Sequence, residues 1–376
     1  MRSWLRLAVA SLALLGSGCS WLWPTVVRTS PREPLFHSGF PLVGSARLDG
    51  ALCSLATVGP EATLLVAPPE RMEGAVSVEE ACREELPVGP GQRGRVARLV
   101  QVGTELGPAY GYLFTVPAPA GMLIAFTGLG MPPAGWVNAR FAELAARHGL
   151  LTFAPVRDES ARPISFDPLR EARRALEAAA RIRAACHADG PTDLRFVGVS
   201  MGGFEALLAN REAHRRGMAS RAAVLDPLLD PARAADHLDS FWHTVAADSM
   251  QAYFRRILSG RYGEPDSTSF TDVLSRAASG PGAATDLAVD APSAWLCAAR
   301  RGDYAVFISA DDPVLGDSQA DFLRACEFPF RHSGASGHVP LGCRLELFDE
   351  MLDAVRPRPT QELRGQVPAL SILEAG

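Results

Sequence analysis

The residues best suited to chemistry are Gly198, Val199, Ser200, Met201 and Gly202, a glycine-x-serine-x-glycine run. A serine hydroxyl is a weak nucleophile at neutral pH and needs a base within hydrogen-bond reach. Given one, it can attack an acyl carbonyl and carry the acyl group as a covalent intermediate. The run alone is a weak signal, and its surroundings give it weight. Leu194 to Val199 reads as a strand and Phe204 to Asn210 as part of a helix. A sharp strand-to-helix turn pushes the serine out above a sheet, and glycines two residues to either side are needed because side chains there would collide. The N-terminus of the helix also favours negative charge developing nearby.

The base must come from eight histidines. His338 lies among Ser336, Gly337, Val339 and Pro340, in a loop of small residues between the last expected strand and the last expected helix. His332 is its rival but falls close to the strand end, so His338 is preferred. A carboxylate has to hold the imidazole in the right tautomer and stabilise its charged form. The apolar run Tyr304 to Ile308 leads through Ser309 and Ala310 to Asp311 and Asp312, while Asp226 ends the expected strand before it and Asp230 lies just beyond. After the apolar run 122–126 come Thr127, Gly128, Leu129 and Gly130. The backbone N–H groups of Leu129 and Met201 are the two expected donors to a developing oxyanion.

These residues need a scaffold, and the hydropathy pattern supplies one. Strands are expected at 96–102, 110–116, 122–127, 150–154, 194–199, 221–225, 303–309 and 327–331, most of them separated by helical patterns. Leu123 to Phe126, and Phe196, Val197 and Val199, are apolar without alternation, as in strands covered on both faces. Asp167 followed by Pro168 starts a helix with Leu169, Ala172, Leu176 and Ala179 at helical spacing, and Leu345, Phe348, Leu352 and Val355 mark an amphipathic last helix. Strands alternating with helices imply an α/β fold with a doubly wound, mostly parallel sheet. Roughly 75 residues separate the sixth and seventh core strands, against 2 to 6 for an ordinary connection. A helical cap is expected there, at about 227–300, with Phe241, Trp242, Met250, Tyr253, Phe254 and Ile257 forming chiefly its own core.

Together these features resemble the α/β-hydrolase superfamily over roughly residues 96–355, in the chain order Ser200, Asp312, His338. In that superfamily the acid commonly sits a few residues past its strand, just before a short turn, which selects Asp312 over Asp311. The resemblance implies a serine hydrolase acting on a small-molecule acyl ester, with no metal and no organic cofactor. A histidine usual before the oxyanion glycine is here Thr127. More narrowly, Met250 to Leu258 with its Tyr253, and Ala310 to Pro313, are similar to the YheT-type esterase branch. A peptidase or thioesterase could use the same three residues, and an inactive hydrolase fold could serve as an envelope binding protein.

Composition narrows the remaining classes. All 37 cationic residues are Arg, so lysine chemistry is excluded, and a net charge of -5 with scattered arginines excludes a nucleic-acid partner. No CxxC or HExxH occurs, so no metal is expected. The run Gly89, Pro90, Gly91, Gln92, Arg93, Gly94 fits a dinucleotide fingerprint but precedes a strand and contains proline, so it reads as a linker.

The start resembles a bacterial lipoprotein signal: Arg2 and Arg6, an apolar run Leu7 to Leu15, then Gly16, Ser17, Gly18 and Cys19. This implies a signal peptide at 1–18, a lipid on Cys19 holding the protein to a membrane, and placement in the bacterial cell envelope. The expected divisions are then a tether at 19–40, an N-terminal extension at 41–95 with a strand expected at 63–67 and a short helix from Val76 to Arg83, the α/β-hydrolase domain at 96–355 and a tail at 356–376. Besides Cys19, six cysteines remain for disulfides in an oxidising compartment, with fifteen possible pairings. A bridge from Cys326, placed on the last expected strand, to Cys343, at the start of the last helix, across the base of the His338 loop is one expectation; two buried free thiols, or pairing with Cys186 or Cys297, are the alternatives.

Overall fold

Successive strand residues face opposite sides of a sheet, so a strand apolar at every position must be covered on both. In the strand Gly121–Phe126, Met122, Ile124 and Phe126 enter one core layer, while Leu123 and Ala125 enter another. Leu194–Val199 divides in the same way, Phe196 to the first layer and Val197 and Val199 to the second. All six residues of each strand are buried.

The computed structural model describes residues 26–29, 75–83, 95–128, 136–156, 167–187, 194–240, 286–310, 312, 314–342 and 344–356. Ten strands occur there: β1 (Val26–Thr29), β2 (Val76–Ser77), β3 (Arg95–Val102), β4 (Ala109–Phe114), β5 (Gly121–Phe126), β6 (Leu150–Val156), β7 (Leu194–Val199), β8 (Ser220–Leu225), β9 (Tyr304–Ala310) and β10 (Phe330–Ser336). The principal helices are α1 (Val78–Arg83), α2 (Trp136–Ala146), α3 (Pro168–Ala185), α4 (Met201–Arg215), α5 (Pro231–Ser240), α6 (Leu287–Asp290), α7 (Pro292–Trp295), α8 (Ser318–Ala325) and α9 (Glu346–Ala354).

The sheet runs β1-β3-β4-β6-β5-β7-β8-β9-β10, with β2 paired to β3. β4 is antiparallel to β3 and β6, and from β6 onward every neighbouring pair is parallel. Helices α3 and α4 pack on the layer that contains Ile124 and Phe196; α2 and α9 pack on the opposite one, where Phe141 and Phe348 meet edge to face at 4.7 Å. This is the α/β-hydrolase fold. The chain leaves β5 for β6 on one side and returns to β7 on the other, and such a switch point opens a crevice at the carboxyl ends of the strands.

Local sequence explains the element ends. Asp167 accepts from the Arg170 N–H at 3.2 Å, with Pro168 at the first helical position of α3. The last strand departs from expectation: it covers Phe330–Ser336 rather than 327–331, because Glu327, at φ 52, belongs to the turn after α8. Val76–Ser77, expected to open a helix, instead pair with β3, and α1 begins at Val78. Residues 26–29, placed in the tether, form β1 antiparallel to β3. Of the insertion, α5, α6 and α7 are described; the apolar residues expected in its core, at 241–257, lie outside the described residues, as do Cys19, 63–67 and 89–94.

Cys82 pairs with Cys186 and Cys297 with Cys326, at Cα separations of 5.1 and 5.4 Å. The expected Cys326–Cys343 bridge is thereby overturned. Cys326 caps the C-terminus of α8 instead of lying on the last strand, and this places it beside the segment that returns from the insertion. Among the described residues no helix is long and apolar enough to cross a membrane.

Candidate active site

β7 ends at Val199 and α4 begins at Met201, so Ser200 alone makes the turn, at φ 54 and ψ -122. A left-handed conformation costs a non-glycine residue about 1 to 3 kcal/mol and persists only where its surroundings enforce it. Here the enforcement is steric and hydrogen-bonded. A Cβ on Gly198 would run into the Gly202 carbonyl and a Cβ on Gly202 into the carbonyls of Phe126 and Thr127, so both glycines are required. The Ser200 N–H donates to Leu225 O at 3.0 Å, and its own carbonyl accepts from Gly203 N–H at 2.9 Å.

His338 Nε2 lies 2.7 Å from Ser200 Oγ, and His338 Nδ1 lies 2.8 Å from Asp312 Oδ2. His338 and Asp312 are buried and Ser200 is half-buried. Asp312 divides its oxygens: Oδ1 accepts from the N–H groups of Val314 at 2.7 Å and Leu315 at 3.0 Å, which leaves Oδ2 directed at the imidazole. The turn after β9 therefore sets the orientation of its own carboxylate. Such a line allows proton transfer from the serine hydroxyl to Nε2 while the carboxylate holds Nδ1–H.

A second carboxylate, Asp226, is wholly buried beside this line and accepts from Ser309 N–H at 2.7 Å, Ser309 Oγ at 2.7 Å and Val339 N–H at 2.8 Å. It does not hydrogen-bond the imidazole, so among the described acid positions read from the sequence Asp312 is the one that meets His338. Ser309 and Val339 were not singled out in the sequence; a serine at a strand end and a valine after a histidine carry no signal of a shared carboxylate. His332 stays in β10, and Asp230 N-caps α5 through its bond to Arg233 N–H.

Burial pushes the Asp226 carboxyl up to about 7, with the Asp312 charge adding to the rise and His338 and the Ser309 bonds opposing it. For His338 burial pulls downward, but the Asp312 charge and hydrogen bond, with Asp226, outweigh it and set its pKa above the ordinary 6.5. Asp226, Asp312 and His338 bring their ligand atoms within 4.8 Å of one another, a spacing that could suit a cation. Their oxygens are already committed to N–H and O–H donors, and Nε2 is turned to Ser200, so the cluster reads as a hydrogen-bond network.

Met201 opens α4, where the first N–H groups of a helix have no partner within it. Leu129, the other expected oxyanion donor, lies outside the described residues; Thr127 and Gly128, which precede it, follow directly on β5.

No family model and no curated protein sequence matches the chain. Among solved structures, carboxyl esterase 2 from the mycorrhizal fungus Tuber melanosporum is similar at 13% identity, over 73% of this chain and 90% of that one, with a TM-score of 0.46. A bacterial heroin esterase is similar at 19% identity over 69% and 84%, with a TM-score of 0.45. An arylesterase gives 12%, 78% and 95%, with a TM-score of 0.47.

Proposed function

We propose that this protein hydrolyses a carboxylic ester or a related acyl compound through an acyl-Ser200 intermediate. The observation that carries the reading is the continuous contact from Asp312 Oδ2 through His338 to Oγ of a serine on a strained turn. His338 Nε2 takes the Ser200 proton as Oγ attacks the acyl carbon. It then returns that proton to the departing alcohol and later activates the water that releases the acid. Asp312 keeps Nδ1 protonated and stabilises the imidazolium. The N–H groups of Met201 and Leu129 are assigned to the developing oxyanion, where removing one donor typically costs about 2.7 to 4 kcal/mol.

Export with a lipid on Cys19 is part of the same proposal. It rests on the lipoprotein-like start of the sequence and agrees with two disulfides, which persist in oxidising compartments. The YheT-type assignment rests on sequence resemblance alone.

A fluorophosphonate probe tests the reaction. The unmodified protein should be labelled once, at Ser200, and lose the label in Ser200→Ala. Labelling that survives the substitution, or an unlabelled and inactive native protein, would overturn the reading.

A further inference from the structure

His338 stands on a loop, between Gly337 at φ 97 and Val339 at φ 52. A β-branched residue rarely adopts such a φ, so this backbone needs something to hold it. The Val339 N–H donates to Asp226 Oδ2, and Asp226 is itself left-handed at φ 44. Two strained residues thus face each other across one hydrogen bond. The remaining contacts of Asp226 lead to the other members of the site. Its carboxylate takes both the N–H and the hydroxyl of Ser309, three residues before Asp312, and its own N–H donates to Phe307 O at 2.9 Å. The preceding residue, Leu225, holds the Ser200 N–H.

We propose that Asp226 is a positioning residue for the reaction inferred above: it fastens the His338 loop to the strand end that leads to Asp312, so that Nε2 is held against Ser200. The proposal rests on that reading of the site. A carboxyl fits here because the N–H groups of Ser309 and Val339 point at its two different oxygens, and either charge state, with any proton turned to Ser309 Oγ, can accept from both. An asparagine would present its amide N–H₂ to one of them.

The surroundings also accommodate a proton on Asp226. Ser309 Oγ lies 3.0 Å from Ser333 Oγ, which lies 3.1 Å from Ala335 O. With the carboxylate ionised, this chain of hydroxyls can run toward Asp226; with the carboxyl protonated, it can reverse and end on the Ala335 carbonyl. The titratable groups that face Asp226 are Asp312, from the turn after β9, and His338, from the loop after β10. Ionised Asp226 favours the protonated imidazole, so its loss should move the acid limb of the pH profile to lower pH.

The test measures p-nitrophenyl acetate hydrolysis from pH 5 to 9 by the full chain, Asp226→Asn and Ser309→Ala, with circular dichroism to report folding. Asp226→Asn should lower kcat roughly 10- to 100-fold, the scale of an ångström misplacement of a reacting group. KM should stay near the wild-type value and the acid limb should move to lower pH. A folded variant with unchanged kcat overturns the proposal. So does a lower kcat with an unmoved limb, as a merely structural loss would give. If Asp226→Asn does not fold, Ser309→Ala decides. It keeps both N–H bonds but removes the hydroxyl that lowers the Asp226 pKa, so a limb moved to lower pH supports the proposal and an unchanged profile overturns it. The hydrolase reading is judged separately: a wild-type protein that is neither labelled at Ser200 nor active overturns that reading, whatever the variants do.

Discussion

The backbone N–H of Ser200 donates to the carbonyl of Leu225 at 3.0 Å, which ties the serine turn to the neighbouring strand one residue before the buried Asp226. The serine is therefore clamped from two sides, by β8 and by the close approach of Gly202 to the end of β5. Gly202→Ala would drive a methyl into the carbonyls of Phe126 and Thr127, neither of which can swing aside as a side chain could. The expected result is a loss of about 1 to 3 kcal/mol, typical of overpacking, with a larger proportional loss of fluorophosphonate labelling. Urea denaturation and labelling rates check it; an unperturbed variant would mean that the turn is looser than its contacts imply.

Asp312→Asn should separate the two tasks of that side chain. The amide oxygen can still cap the Val314 and Leu315 N–H groups, so the fold should survive. The amide N–H₂ then faces Nδ1 and selects the tautomer with its proton on Nε2, the wrong atom for accepting from Ser200. A fall in kcat on the order of 10⁴-fold is expected. Steady-state kinetics on an activated ester, beside a thermal melt, decides between this outcome and a simple loss of structure.

The pH dependence has a definite sign. Ser200 can give its proton only to a neutral imidazole, so activity should rise through a His338 pKa that lies above 6.5. Asp312→Asn removes the charge and the hydrogen bond that raise it, and the limb should shift downward in pH. A wild-type limb below 6.5 would contradict the assignment of the base.

Stability should follow pH in a related way. The Asp226 pKa is raised from 3.8 to about 7, so the folded protein binds a proton there that the unfolded chain has already released. The associated stabilisation is complete below about 4, declines as pH rises toward 7 and is absent above. The stability difference between wild type and Asp226→Asn should therefore fall over that window and level off. Denaturant midpoints at several pH values measure it, and a flat difference would place the Asp226 pKa near its ordinary value.

Cys297 and Cys326 are 29 positions apart in sequence, and the loop they close contains β9 and Asp312. In the chain-entropy model, opening a loop of this length costs about 3 to 4 kcal/mol. Cys297→Ser should lower the urea midpoint accordingly, and peptide mapping of the unreduced protein should link Cys297 to Cys326. A Cys326–Cys343 peptide would contradict the pairing seen here.

Much of the sheet could be read from hydropathy because β5, β7 and β8 are covered on both faces and show it as apolar stretches at Met122–Phe126, Phe196–Val199 and Ala222–Leu225. β10 was displaced because it is an edge strand that shifts register between His332 and Ser336, and its polar Ser333, Gly334 and Ser336 do not advertise a strand. Ser200, Asp312 and His338, which the structure brings together, were legible as candidates because each follows or adjoins a recognisable strand end. Their mutual distances, the part taken by Val339 and the choice of cysteine partners depend on which strands become neighbours. Nothing in a linear pattern of apolar residues reports that.

The Cys82–Cys186 bridge bears on how the gene could be trimmed. Hydropathy marks a natural starting point at residue 96, yet the covalent bond runs from α1, before that point, to the end of α3, after it. A shortened protein begun there would retain Cys186 and discard its mate. It would also lose β1 and β2, exposing the hydrogen-bonding groups along β3. An orphan thiol and a bare sheet edge on one molecule invite oxidative dimers and edge-to-edge association. For expression, the segment before residue 96 is best kept as part of the folded body.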